Sequence, residues 1–393
     1  MSWVLDAGFA GMRFYDLPNF MLCVLFVLIC GQRLKVPAIF QFVLLLHCLL
    51  PFFLNGVLFS FSFMPDAFKY WHAFNEIRGG DLSLVAAWQK GNVEQAAALF
   101  ALIPFPLAVT PLSLGFFNTF LYAALFFWLY SKRVFTPASV WFFLLYPSMA
   151  LYTGMGLRDT FIFIFMVMAI QWAREGRWWL ALLPLYLLFM IKFQNFFILG
   201  PVLLLYVMFG IRKTGVSAAK AVVVSVIGLV TLVAVSPVAL PLINKFRGAM
   251  YVEDGGDVSD VEFLETPAEF VLEGLVSGFY FLAKPLPWEA TNILQLIQAG
   301  ENLVILMVLF LLVRVSWKKA PEKLIFWLLF MALALTVYGL VVFNYGTAAR
   351  YRYPFIAIFV LFVCADCSVR KVIPFTFRKR TAGDCPVNLQ HHD

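Results

Sequence analysis

Apolar runs long enough to cross a bilayer recur along almost the whole of this chain, and they decide which solvent it folds in. A spanning helix needs about 20 apolar residues, fewer when it is tilted or packed inside protein. Runs of that kind fall near 17–31, 37–63, 111–131, 137–154, 160–173, 179–191, 196–211, 221–243, 302–315, 324–343 and 354–369. With 63% of its residues hydrophobic and 13% charged, the chain has too little polar surface to cover itself in water. The expected fold class is all-α, a polytopic transmembrane helix bundle of about eleven spans.

The basic residues orient the bundle. Counting alternate loops from Arg33 and Lys35, one side collects 18 of the 29 lysines and arginines, among them Lys132, Arg133, Arg174, Arg177 and Lys318. Only four acids join them: Glu175, Glu322, Asp384 and Asp393. The positive-inside rule assigns that side to the cytoplasm, so the N-terminus lies outside and the C-terminus inside. The net charge of +7 is then a matter of topology, and no nucleic-acid partner is expected. Residues 1–369 form a single transmembrane domain whose longer outer loops, about 64–94 and 244–301, contain short helices. Residues 370–393 form a basic, flexible cytoplasmic tail. The apolar stretch 95–110 carries Pro104 and Pro106 and reads as a half-helix or interfacial segment. Cys364 and Cys367 have metal-like spacing without a second ligand pair, so they read as packing residues. No metal or cofactor is expected.

The residues able to do chemistry fall on the outer side. In Pro65-Asp66-Ala67-Phe68-Lys69-Tyr70, a helix puts Asp66 and Tyr70 on one face. Asp66 there suits a general base toward a hydroxyl, or equally a helix N-cap beneath an aromatic belt. Further on, Tyr146-Pro147 bends a helix, and Gly154 to Asp159 returns the chain. Asp159 complements the positive end of the helix it starts, whereas Arg158 is unfavourable there unless it meets an anion such as a lipid phosphate. Lys192 and Gln194 make a tight outer turn, as a ligand contact or as a plain polar turn with a snorkelling lysine. Trp288 and Glu289 follow a proline-stiffened segment, Trp288 serving to stack on a sugar or to anchor the interface. Arg350 and Arg352 stand outside against the basic trend, flanked by Tyr345, Tyr351 and Tyr353. Planar guanidinium groups bind phosphate oxygens in pairs and stay charged in a dry site.

Taken in order, Asp66…Tyr70, Tyr146-Pro147…Arg158-Asp159, Pro285-Leu286-Pro287-Trp288-Glu289 and Arg350-Tyr351-Arg352-Tyr353-Pro354 resemble the bacterial polytopic glycosyltransferases that use polyprenyl-linked sugars. Those are the GT-C superfamily and the Wzy-type repeat-unit polymerases of O-antigen and exopolysaccharide. The motifs touch about a tenth of the chain, and the hydropathy layout around them covers most of it. Asp66 lacks the adjacent acid of typical GT-C enzymes, and no large soluble C-terminal domain is present; both departures favour the polymerase-like group. The resemblance implies an enzyme of the bacterial inner membrane acting on an undecaprenyl-diphosphate-linked glycan, among membrane lipids and other polysaccharide-assembly proteins. It implies catalytic roles for Asp66, Arg158, Arg350 and Arg352, and substrate contacts from Tyr70, Asp159, Lys192, Gln194, Trp288 and Glu289. A transporter or flippase for a lipid-linked or anionic solute would explain outward arginines too, and predicts charges along the spans. A noncatalytic assembly partner would tolerate loss of Asp66 and both arginines.

Overall fold

The computed structural model describes residues 13–59, 65–103, 105, 108–210, 215–253 and 256–369. The tail expected to be flexible, 370–393, lies outside the described residues. Among the described residues there are 16 α-helices and no sheet. Five helical stretches are long and apolar enough to cross a membrane: Arg13–Arg33, Pro111–Ser131, Ile293–Trp317, Pro321–Gly339 and Tyr345–Asp366. They make the chain an integral membrane protein.

In chain order the first helices are α1 (Leu17–Arg33), α2 (Ala38–Leu54), α3 (Pro65–Gly79), α4 (Leu84–Gln89), α5 (Asn92–Ala101) and α6 (Pro111–Ser131). Then come α7 (Pro137–Leu145), α8 (Pro147–Thr153), α9 (Asp159–Arg174), α10 (Trp178–Ile191) and α11 (Phe193–Met208). The last are α12 (Ala218–Glu253), α13 (Pro267–Ala283), α14 (Ile293–Trp317), α15 (Pro321–Gly339) and α16 (Tyr345–Asp366). The core is aromatic and aliphatic, and α16 and α6 lie deepest in it. Helix α16 is packed by α15, α7, α8, α14, α9 and α13.

Both ends of this central helix are marked by ion pairs. At its start Arg350 meets α3 and α9; at its end Asp366 accepts from Arg174 of α9 (2.5 Å) and from Trp327 Nε1 of α15 (3.0 Å). Lys35 and Arg133 adopt left-handed backbone where α1 and α6 finish, with φ of 50° and 54°. In each, an amide five residues on closes the turn: Val36 N to the Gly31 carbonyl and Val134 N to that of Leu129.

Pro147 divides the run 137–154 into α7 and α8, and three of the resulting loose backbone groups are met by side chains. Proline has no N–H to give the Phe143 carbonyl, which takes the Tyr122 hydroxyl instead (2.8 Å). The Leu144 carbonyl is met by His47 Nε2 (2.8 Å), whose ring stacks on Tyr122 at 4.9 Å. The Ser148 N–H donates to Glu301 of α14 (3.0 Å). Within the stretch 95–110, read from sequence as a half-helix or interfacial segment, helix α5 ends at Ala101 with Gln95 to Phe100 buried. It packs into the protein because α3 and α4 cover it.

Helices α13 and α15 approach through glycine. A Cβ at Gly339 would stand 2.5 Å from the Ser277 carbonyl group, and one at Gly278 would stand 3.1 Å from the Leu335 carbonyl carbon. Small residues at a crossing let two backbones touch where lipid offers no hydrophobic drive.

Candidate functional site

A turn fixed from two sides sets up the site. Asn118 of α6 donates through Nδ2 to the carbonyls of Met155 (2.5 Å) and Leu157 (2.7 Å), and Asn55 donates to that of Gly154 (3.3 Å). A Cβ at Gly115 would lie 2.6 Å from the Gly154 oxygen, so only glycine lets α6 come this close. Arg158 is thereby held as the residue before α9 and Asp159 as its first residue.

Asp159 is buried and accepts from Arg350 Nε (2.7 Å). The same guanidinium donates through Nη1 to Asp66 Oδ2 (3.1 Å), and Lys69 approaches the other oxygen of Asp66 (3.4 Å). The two carboxylates are unequal: the Asp159 side chain is 4% exposed and that of Asp66 36%. Burial of Asp66 opposes its ionisation, but the charges of Arg350 and Lys69 outweigh it and hold the carboxyl below its ordinary value.

Tyr70, one helical turn past Asp66, is buried in the combined field of Arg158, Arg350, Asp66 and Asp159. Arg158 lies over its ring, 6.0 Å from the centroid. The Nη1 of Arg158 is buried and has no hydrogen-bond partner among the described residues. A buried guanidinium donor left open is a costly feature in a folded protein unless a ligand meets it.

Lys192, in the one-residue break between α10 and α11, is also buried. Its ammonium sits 3.9 Å from the ring centroid of Tyr351 and 6.0 Å from that of Tyr338, within the field of Arg158 and Asp159. Tyr338 is anchored by its hydroxyl, which donates to Asn195 Oδ1. Lys192, Tyr338 and Tyr351, with Gln194, are the polar residues lining an otherwise apolar cavity of about 240 Å³ between α11, α12, α13 and α15. Of its apolar lining residues, Phe197 and Leu242 are exposed.

Asp66, Tyr70, Arg158, Asp159, Lys192 and Arg350 thus come together from four parts of the chain. Three expected site residues lie elsewhere. Arg352 donates through Nη1 to the carbonyls of Phe281 (3.0 Å), Leu282 (3.1 Å) and Lys284 (2.9 Å), and through Nη2 to Asn302 Oδ1. Asn302 in turn donates to the carbonyls of Ala283 (3.0 Å) and Pro285 (3.3 Å). Arg352 therefore closes the end of α13. Trp288 is 79% exposed on the segment that follows, and Glu289 pairs with Lys284 (3.1 Å) and accepts from the Leu286 N–H.

Sequence reasoning passed over Asn118, Asn302 and Glu301, which hold the backbone around the site. Asn118 is a lone amide in an apolar run, and Glu301 and Asn302 are an adjacent polar pair opening one; that placement is the available signal. Compared with protein-family models, curated proteins and solved structures, the chain matches none.

Proposed function

We propose that the protein is a membrane glycosyltransferase or repeat-unit polymerase. It joins sugars from a polyprenyl-diphosphate-linked donor to an acceptor glycan at the outer face of the bacterial inner membrane, in cell-surface polysaccharide synthesis. In this reading about eleven segments span the bilayer, with the N-terminus outside. One observation carries the proposal: buried Lys192 stands where a polar cluster meets an apolar cavity, and the same cluster holds the buried, open Nη1 donor of Arg158. An amphiphile with a diphosphate head and an isoprenoid tail has the matching distribution of charge and apolar surface.

The chemistry follows from those positions. An acceptor hydroxyl attacks the anomeric carbon and gives its proton to Asp66. The bond from that carbon to the diphosphate oxygen breaks, and the diphosphate leaves with the electron pair. Negative charge growing on the leaving oxygens is met by Arg158 and Lys192, which are already in place, and by Arg350. Asp159 keeps Arg350 aimed, as the buried partner of its Nε.

The test is a surface-glycan profile of a deletion strain complemented with Arg158→Gln. Losing one preorganised donor at a developing charge lowers such rates by about 100-fold or more, so glycan extension should disappear while the protein still reaches the membrane. Unchanged polymer length would reject the phosphate role. Lost surface glycan with extended lipid-linked product retained inside the cell would instead favour the flippase reading.

A further inference from the structure

We infer that Asp66 occupies the anion position on Arg350 in the resting protein, and that an incoming phosphate group takes its place and hands Asp66 to Lys69. The inference rests on the proposed recognition of a lipid diphosphate and adds to it the order of events at the site.

Two of the three nitrogens of Arg350 are taken as it stands, Nε by Asp159 and Nη1 by Asp66. A phosphate that grips the guanidinium through a pair of nitrogens must therefore displace one of the carboxylates, and the two are not equally displaceable. Asp159 is buried at the start of α9, behind the turn that Asn118 and Gly115 lock to α6. Ejecting it would leave a buried charge without its partner. Asp66 is about a third exposed, lies in the first turn of the mostly polar helix α3, and already has a second cation at 3.4 Å, the 59% exposed Lys69. Released from Arg350, Asp66 keeps Lys69 and gains water.

The exchange has a chemical consequence. While paired with Arg350, Asp66 is a weak base, because the guanidinium stabilises its ionised form. Displacement by the diphosphate removes that stabilisation at the moment the donor is seated. A base strengthened only in the presence of donor favours proton removal from an acceptor hydroxyl when there is something for that hydroxyl to attack. An empty site keeps its cation neutralised and its base quiet.

The experiment measures binding of farnesyl diphosphate to the full-length, detergent-solubilised protein, with farnesol as the uncharged control. Asp66→Asn removes the competing charge, so the diphosphate should bind about fivefold more tightly while farnesol binding stays unchanged. Lys69→Gln should weaken diphosphate binding two- to threefold, about the strength of one exposed pair, because released Asp66 loses its second partner. In the Asp66→Asn background the same Lys69 change should do nothing. Asp66→Asn that binds no tighter overturns the exchange, and so does a Lys69 effect that persists without Asp66. Lys69→Gln that leaves diphosphate binding unchanged overturns it as well, and because Lys69 is exposed that arm is readable even if Asp66→Asn fails to fold. Parent protein that ignores the diphosphate overturns the exchange and the donor reading together. Binding with the predicted gain, but no glycan made in cells, defeats the transferase reading alone.

Discussion

On α16 the side chains of Arg350 and Arg352 leave the backbone two residues apart, and hence about 200° apart around the helix axis. One faces the carboxylates of α3 and α9, and the other faces the carbonyls that finish α13. Their substitutions should separate accordingly. Arg352→Ala strips three carbonyls of their donor and should lower stability by about 3 kcal/mol, read as a drop in melting temperature and in folded yield. Arg350→Lys keeps a cation near Asp159 but cannot reach two carboxylates from one rigid plane. It should leave melting nearly unchanged and abolish glycan extension. Sequence showed both arginines as outward charges in a tyrosine-rich turn and had no means to separate them, because their partners lie 50 residues or more away in the chain. Asp66, Arg158, Asp159 and Lys192 were legible for a simpler reason. Each is a charge at the rim of an apolar run, where only a partner or a ligand makes it tolerable.

Elements show a different balance. Hydropathy located the helices well, since an apolar run in lipid has to satisfy its backbone internally. It did not show how α7 and α8 survive their separation, because Tyr122, His47 and Glu301 come from three other helices. Tyr122→Phe should leave the Phe143 carbonyl unmet in the core and destabilise the protein by about 1–3 kcal/mol in thermal unfolding. The crossing of α13 and α15 offers a steric counterpart. Gly339→Leu places a side chain where the Ser277 carbonyl already stands, so the helices must part; folded yield should fall sharply, and a change at the open position Gly300 should not matter. The spacing of Gly274 and Gly278 was readable as a close-packing pattern, but its partner surface on α15 was not.

At the scale of the molecule, the site and the basic loops occupy opposite ends of one bundle, joined by α9 and α16. In the proposed topology a cysteine at Trp288 should react with a membrane-impermeant maleimide on intact spheroplasts. One at Lys318 should react only after permeabilisation, and the reverse pattern would remove the site from the outer face. The cavity beneath Lys192 is lined in part by the exposed apolar side chains of Phe197 and Leu242, and in the proposed topology that side faces lipid. A molecule that enters from that side is already dissolved in the bilayer before it meets the protein. Its concentration is then a ratio of molecules within a sheet. Turnover in reconstituted vesicles should fall when inert lipid is added at constant total substrate, and should ignore changes in the surrounding water volume.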